Sequence, residues 1–296
     1  MSELFTRLFV HPQWFIAYRT RRPFSLPYNS TGFTIMKPDP GKFFADPFAV
    51  TYNNRTYLIF EEYLFEKAKG VISFVEIDAA GNSSKPQIVL ECDYHLSYPF
   101  IFRWNEKMYM IPETVANSTI ELYSTDNFPY EWKLEKVLME GLKAHDTTIW
   151  ISDGQFWMFA IIDASNEPYS NLSIFYADNL FGNWTPHPQN PVISDKSKAR
   201  PAGNLFIHEG VLIRPGQNSI KRYGHSIKFN KVVSLTKSDY QETELSHFTP
   251  DWHPGNLCTH TYNFNERLEV IDGMEPRIDW LKPYRILVSK IHKLRN

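Results

Sequence analysis

Ionisable residues recur along this chain at matching places in one local pattern. Asp46 opens the run Asp46-Pro-Phe-Ala-Val50, Asp146 opens Asp146-Thr-Thr-Ile-Trp150, and His260 opens His260-Thr-Tyr-Asn-Phe264. Tyr98 and Ala202 start two further copies, Tyr98-Pro-Phe-Ile-Phe102 and Ala202-Gly-Asn-Leu-Phe206. Each run leads through a polar turn into a second strand, and those second strands end near Glu61 and Glu62, Glu113, Asp163, Arg214 and Asp272. Carboxylates, an imidazole and a guanidinium are the groups that move protons and hold hydroxyl-rich ligands. Each also has a plain structural reading. An Asp before Pro commonly starts a turn, and His145 with Thr147 and Thr148 offers Asp146 local hydrogen bonds. A histidine on an inner strand is more often a satisfied core residue than a catalyst. The shared position argues better than any single residue.

The elements that must carry these residues form a repeat. Turns at 51–55, 103–107, 151–155, 207–210 and 265–267 each contain Asn, Asp, Gly or a charge, the chemistry of a tight hairpin. The runs start at intervals of about 52, 48, 56 and 58 residues, a propeller-blade period. Alternating segments such as Val71–Ile77, Thr119–Tyr123 and Leu172–Tyr176 supply a third strand for most copies. The expected fold is all-β, a single five-bladed β-propeller over residues 1–296, with inner strands starting near 46, 98, 146, 202 and 260. Trp14–Tyr18 is the expected closing strand of the last blade, and Tyr284–Val288 reads as strand. Inner strands run along the central axis, so their starts meet at one mouth of the funnel, and the antiparallel second strands return to it.

The same segments carry a resemblance. The chain resembles the five-bladed propellers of glycoside hydrolase family 43. More closely, it resembles the N-terminal propeller region of the glucosamine inositolphosphorylceramide transferase family. The residues behind the second resemblance are Phe44-Ala-Asp-Pro-Phe48, His95-Leu-Ser-Tyr-Pro-Phe100, Met110-Ile-Pro-Glu113, His145-Asp-Thr-Thr148, Arg200-Pro-Ala-Gly-Asn204 and Ile213-Arg-Pro-Gly-Gln217. The first resemblance implies Asp46 as general base and Asp146 as the residue that tunes the acid. The family 43 acid, a fourth-blade Glu, has no counterpart, because Arg200-Pro-Ala-Gly203 stands in its place. Glu113 or Glu62 is then the expected acid. Transferases of the second family carry a separate glycosyltransferase domain after the propeller, and none of that size follows in this sequence.

The expected function is carboxyl-assisted chemistry at a glycosidic bond, hydrolysis or transfer, in glycolipid or surface-polysaccharide metabolism. Tyr98, Arg200, Arg214, Gln217, Trp252, His260 and Glu62 are the expected substrate contacts, with the two arginines suited to an acidic or nucleotide-activated sugar. Trp104 and Trp150 join Trp252 as candidate stacking platforms. The rival reading is a non-catalytic glycan-binding propeller beside a partner glycosyltransferase. Aromatic content of 16% suits both strands and sugar stacking. A net charge of −2 gives nucleic acid no electrostatic footing. Ten scattered histidines and two cysteines show no zinc spacing and no Gly-rich phosphate loop is present. No cofactor is expected; a cation in the central channel near His260 is left open, without a ligand set. No apolar run is long enough to span a bilayer and Met1–Pro12 lacks a secretory pattern, so the expected compartment is the cytoplasm.

Overall fold

The computed structural model describes residues 8–26, 28–163 and 167–284. Its strands form five antiparallel sheets arranged as the blades of a propeller. Strands β1 (Val10–Thr20) and β2 (Thr34–Met36) come first in the chain but belong to the fifth blade. The first blade holds β3 (Lys42–Tyr52), β4 (Arg55–Leu64), β5 (Lys69–Ile77) and β6 (Gln87–Leu90). The second holds β7 (Ser97–Trp104), β8 (Lys107–Thr114), β9 (Thr119–Thr125) and β10 (Lys133–Glu140). In the third are β11 (Ala144–Ser152), β12 (Gln155–Ile162), β13 (Asn171–Ala177) and the short β14 (Thr185–Pro186) and β15 (Ile193–Ser194). The fourth runs β16 (Phe206–His208), β17 (Val211–Asn218), β18 (Ser226–Leu235) and β19 (Tyr240–Phe248). β20 (Tyr262–Phe264) and β21 (Leu268–Ile278) complete the fifth, where β1 pairs with β21 from Val10↔Ile278 to Thr20↔Leu268.

Turn chemistry explains the inner hairpins. In the first four blades two residues link the inner strand to the second: Asn53-Asn54, Asn105-Glu106, Asp153-Gly154 and Glu209-Gly210, all with positive φ. Two successive left-handed residues make the turn whose twist matches that of paired strands. The fifth blade instead uses Asn265, whose side-chain oxygen accepts the amides of Arg267 and Leu268.

At the other end of the inner strands the ladder slips. Register shifts fall between Ala45 and Phe48, Ser97 and Phe100, and His145 and Thr148. The residues inside the slips, Asp46, Tyr98 and Asp146, have φ of 51°, 41° and 51°. Left-handed backbone is tolerable for Asp and costly for Tyr. Each freed amide finds a carboxylate from an adjacent strand or blade. The Asp46 N–H donates to Asp272 Oδ2 at 3.3 Å, that of Tyr98 to Asp46 Oδ2 at 3.2 Å, and that of Asp146 to Glu113 Oε2 at 3.2 Å. Thus Asp46, Tyr98 and Asp146 do not begin strands, contrary to the expectation. They are bulges within or just inside strands that begin at Lys42, Ser97 and Ala144. Ala202 and His260 precede the short strands β16 and β20; the Ala202 carbonyl accepts the Tyr262 amide and the His260 amide donates to Asp272 Oδ1.

Aromatic side chains fill the seams between blades. Phe48 meets Tyr98 and Phe100 between the first two, while Phe24, Phe206, Phe229 and Tyr262 pack together between the last two. Tyr98 also crosses the central channel. Its hydroxyl accepts the Gly203 amide at 2.9 Å and lies 2.8 Å from Thr148 Oγ1, joining the second blade to the third and fourth. Asn263 does the same between the fifth, first and fourth, donating to the Pro47 carbonyl and accepting the Asn204 amide. Below this floor lies a separate depression of about 320 Å³ lined by Phe100, Phe102, Trp150, Phe206 and Phe264. Tyr98→Phe is expected to strand the buried Gly203 amide at a cost of about 1–3 kcal/mol, while Thr148 Oγ1 keeps the Asp146 carbonyl. Urea unfolding would show it as a lower midpoint at unchanged slope; an unmoved midpoint would rule the bridge out.

Of the strand expected at Tyr284–Val288, Tyr284 lies in a helical turn and the rest lies outside the described residues. Among the described residues no helix is long and apolar enough to cross a membrane.

Candidate functional site

Two polar clusters face each other across the funnel mouth. The first joins β3, β21 and the segment before β20. His260 Nδ1 is 2.6 Å from Asp272 Oδ2 and Nε2 is 3.4 Å from Asp46 Oδ1. Asp272 Oδ1 accepts the amides of His260 and Thr261, and Thr261 Oγ1 donates to Asp46 Oδ1 at 2.9 Å. The imidazole packs on Trp14, ring centroids 4.2 Å apart. Gly224 lies against its other side, where a Cβ would come within 2.8 Å of His260 Cβ at a φ of +60°. Burial works against the imidazolium, but Asp272 and Asp46 outweigh it and lift His260 to about 9. Burial raises Asp46, with His260 pulling it back. Ligand atoms of Asp46, His260 and Asp272 lie within 4.8 Å of one another. That spacing would admit a cation; in this structure the His260 ring is the group that lies between the two carboxylates.

The second cluster joins β8, β11 and the fourth blade. Arg200 Nε donates to Asp146 Oδ2 at 2.6 Å, and its Nη2 reaches Asp146 Oδ1 at 3.1 Å and Glu113 Oε2 at 3.3 Å. Its Nη1 donates to the Pro168 carbonyl. Gln217 Nε2 donates to Asp146 Oδ2 at 2.8 Å, and His145 Nδ1 sits 3.2 Å from Glu113 Oε2. Burial opposes the Glu113 carboxylate, yet His145, Arg200 and the Asp146 amide hold it at about 2. Burial pushes Asp146 up to about 7 against the pull of Arg200, and Glu113 adds to the push. His145 Nε2 and Gln217 Oε1 are buried without a protein partner.

Tyr223, from the loop between β17 and β18, spans the two clusters. Its ring is 5.4 Å from that of His260, and the Arg200 guanidinium carbon is 5.2 Å from its centroid. With Tyr169, 5.6 Å from Tyr223, it forms an aromatic cover on the mouth. Neither was singled out from the sequence, because both lie on loops outside the repeat.

Asp46, Asp146, Glu113, Arg200, Gln217 and His260 are therefore brought together. Other expected contacts go elsewhere. Glu62 turns away from the funnel to Lys42 at 2.8 Å and Ser73 at 2.6 Å; its neighbour Glu61 takes the inward position. Arg214 is wholly buried within the fourth blade, where its guanidinium forks onto Glu242 at 2.7 and 2.8 Å. Trp252 donates its indole N–H to Thr259 and packs on Phe15 and Phe33, so its faces are used by the fold. Trp104 packs on Phe156 and Phe181 near the hairpin turns, and Trp150 lines the depression under the floor. Tyr98 is that floor, fully buried. Glu113, expected as an acid, is held ionised, the opposite of what an acid needs.

The chain matches the family described as Glucosamine inositolphosphorylceramide transferase 1, N-terminal, over residues 23–259. Two similar proteins named Glucosamine inositolphosphorylceramide transferase 1, from Oryza sativa subsp. japonica and Arabidopsis thaliana, are 37% and 34% identical over 212 and 211 residues. Each match covers 70% of this chain and 28% of the relative, so the chain spans under a third of those proteins. Among solved structures it is similar to a family 117 glycoside hydrolase of Zobellia galactanivorans, with a TM-score of 0.56, 12% identity and 91% of both chains covered. A family 62 α-L-arabinofuranosidase catalytic domain from Coprinopsis cinerea superposes with a TM-score of 0.58 at 12% identity, over 88% of this chain and 97% of that one. These structural likenesses show the fold alone. The sequence match, which spans the first four blades and β2 of the fifth, shows more: this chain belongs to the glucosamine inositolphosphorylceramide transferase 1 N-terminal family.

Proposed function

We propose that the funnel binds a neutral glycan and assists chemistry at its glycosidic bond, in glycolipid or surface-polysaccharide metabolism. The observation that carries this reading is the pair of carboxyl clusters at one closed-ended mouth, with Asp46 in one and Asp146 in the other. An oxocarbenium-like transition state needs a base to take a proton from water or an acceptor hydroxyl, and nearby negative charge to steady the cation. Asp46, tied to the His260 imidazolium, supplies the base; Glu113, held as a carboxylate, supplies charge. The unpartnered His145 Nε2 and Gln217 Oε1 are groups that sugar hydroxyls complete.

Charge selects the substrate class. Asp46, Glu61, Glu113, Asp146 and Asp272 act on one another across the mouth, against Arg200 and His260. Both cations are already engaged, and Arg214 is spent on Glu242. A phosphate or uronate would meet net repulsion there, so a neutral sugar replaces the acidic one expected from the sequence. A non-catalytic glycan module assisting a partner transferase is the second reading, favoured by the ion pairs that already engage Asp146 with Arg200 and Asp46 with His260.

Turnover of a panel of neutral aryl glycosides, oligosaccharides and glycolipids by the purified chain tests the first reading. Asp46→Asn is expected to lower it by about a hundredfold or more while glycan binding persists. Saturable binding by both proteins with no product from either would leave the binding module as the better account.

A further inference from the structure

We propose that Glu61 is the acid of this site, giving its proton to the departing glycosidic oxygen, and that His95 is its positioning residue. This rests on the glycosidic reading above. Glu61 on β4 and Glu113 on β8 occupy the same place in consecutive blades, paired with Ala45 and Ser97 at the edge of the bulge. Their surroundings differ. Glu113 is clasped by Arg200 and His145. Glu61 has only the edge of His95, whose Nε2 stands 3.6 Å from Oε1, beyond hydrogen-bond length. The groups that act on it are the carboxyls of Asp46 on β3, Glu113 on β8, Asp146 on β11 and Asp272 on β21, while its own charge is felt by Tyr63 on β4. Burial first, and then those four carboxyls, raise its proton affinity well above the usual carboxylate range. One blade position is thus clasped by cations in the second blade and left among carboxyls in the first.

His95 is held in one orientation. The Gly70 amide donates to its Nδ1 at 2.8 Å, so the neutral ring carries its hydrogen on Nε2, facing Glu61. Burial lowers the proton affinity of His95, with Glu113 and Asp46 opposing, which favours the neutral ring. Glycine is required at position 70, because a Cβ there would lie 2.2 Å from the Leu96 carbonyl and 2.7 Å from Glu61 Oε1. In the reaction the Glu61 O–H bond breaks and its proton forms an O–H bond on the leaving oxygen as that oxygen's bond to the anomeric carbon breaks. The water or acceptor oxygen bonds to the same carbon and its proton passes to Asp46. Glu61, now a carboxylate, accepts the Nε2–H of His95; after product leaves, Asp46 gives its proton to solvent and Glu61 takes one from it.

The test uses phenyl and dinitrophenyl glycosides of a sugar that the wild type turns over. Dinitrophenolate leaves without protonation, whereas phenolate needs an acid. Glu61→Gln should lose about a hundredfold or more in kcat/KM on the phenyl glycoside and less than about threefold on the dinitrophenyl one. His95→Leu should move the alkaline limb of the phenyl-glycoside profile to higher pH, which a purely structural role would not do. The carbon-13 carboxyl signal of Glu61, assigned by its loss in Glu61→Gln, should be that of a protonated acid at pH 7. Equal losses on both glycosides, or a Glu61 carboxylate at pH 6, overturn the proposal and leave the glycosidic reading standing. A wild type that turns over no glycoside removes that reading, and this proposal with it.

Discussion

Arg214→Leu is expected to destabilise the protein by about 3–5 kcal/mol. Both the guanidinium and its partner Glu242 are almost wholly removed from solvent, at 1% and 2% side-chain exposure. Arg214 donates Nε and Nη2 to the two Glu242 oxygens and further N–H groups to the carbonyls of Lys198 and Ala199. Tyr240 adds a hydroxyl donor to the same carboxylate, and Lys198 Nζ lies 3.9 Å away. Removing Arg214 leaves a desolvated carboxylate with one hydroxyl and a distant ammonium, and strands two buried carbonyls. Equilibrium urea unfolding measures the loss. The double variant Arg214→Leu/Glu242→Leu should recover the part due to the unpaired carboxylate, though not that of the two stranded carbonyls, because an apolar pair replaces a buried ion pair at little cost. A loss under about 1 kcal/mol in the single variant would show that the pair is not what holds the fourth blade.

His260→Gln should be as damaging near neutral pH, and its signature is a changed pH dependence. In the folded protein His260 is held protonated up to about 9, against about 6.5 for a free histidine. A raised folded value contributes stability that is complete below about pH 6.5 and lost as pH climbs through about 9. By linkage that contribution is about 3 kcal/mol. Without the imidazolium, Asp46 and Asp272 face each other with no cation between them, a penalty of about 3–5 kcal/mol that eases as acid protonates Asp46. Urea midpoints taken from pH 5 to 9.5 should therefore fall on the alkaline side for the wild type. Those of the variant should fall already between pH 5 and 7. Parallel curves for the two proteins would mean that His260 is neutral in the fold.

The blade count was legible because hairpin turns and alternating aromatics are local signals, and each copy repeated them. Which residue of a pair faces the funnel was less so. Glu61 and Glu62 are chemically alike and adjacent, and a strand points them to opposite sides. The bulge at Asp46 sets which one turns inward, and nothing in Phe44-Ala-Asp-Pro-Phe48 shows that the backbone there is left-handed. Arg214 was misread for a related cause. Its partner Glu242 is 28 residues on in β19, a pairing that only the sheet register reveals. Trp252 looked like a sugar platform by composition, but a ring on a loop is as easily drawn into the fold. Tyr223 and Tyr169 carried no signal at all, since their place over the mouth depends on where two loops cross.

The pairing of β1 with β21 has a consequence for how the protein is made. Residues 13–19 are all buried in the finished ring, and their cover includes residues 269–275. During synthesis that stretch, with Trp14, Phe15, Ile16 and Tyr18, emerges roughly 250 residues ahead of its partner strand. At roughly 5–20 residues per second the gap is on the order of 10–50 s. Throughout it the blades form an open arc in which an apolar strand waits with its edge toward β21 unpaired, the kind of surface that aggregates or is shielded by a chaperone.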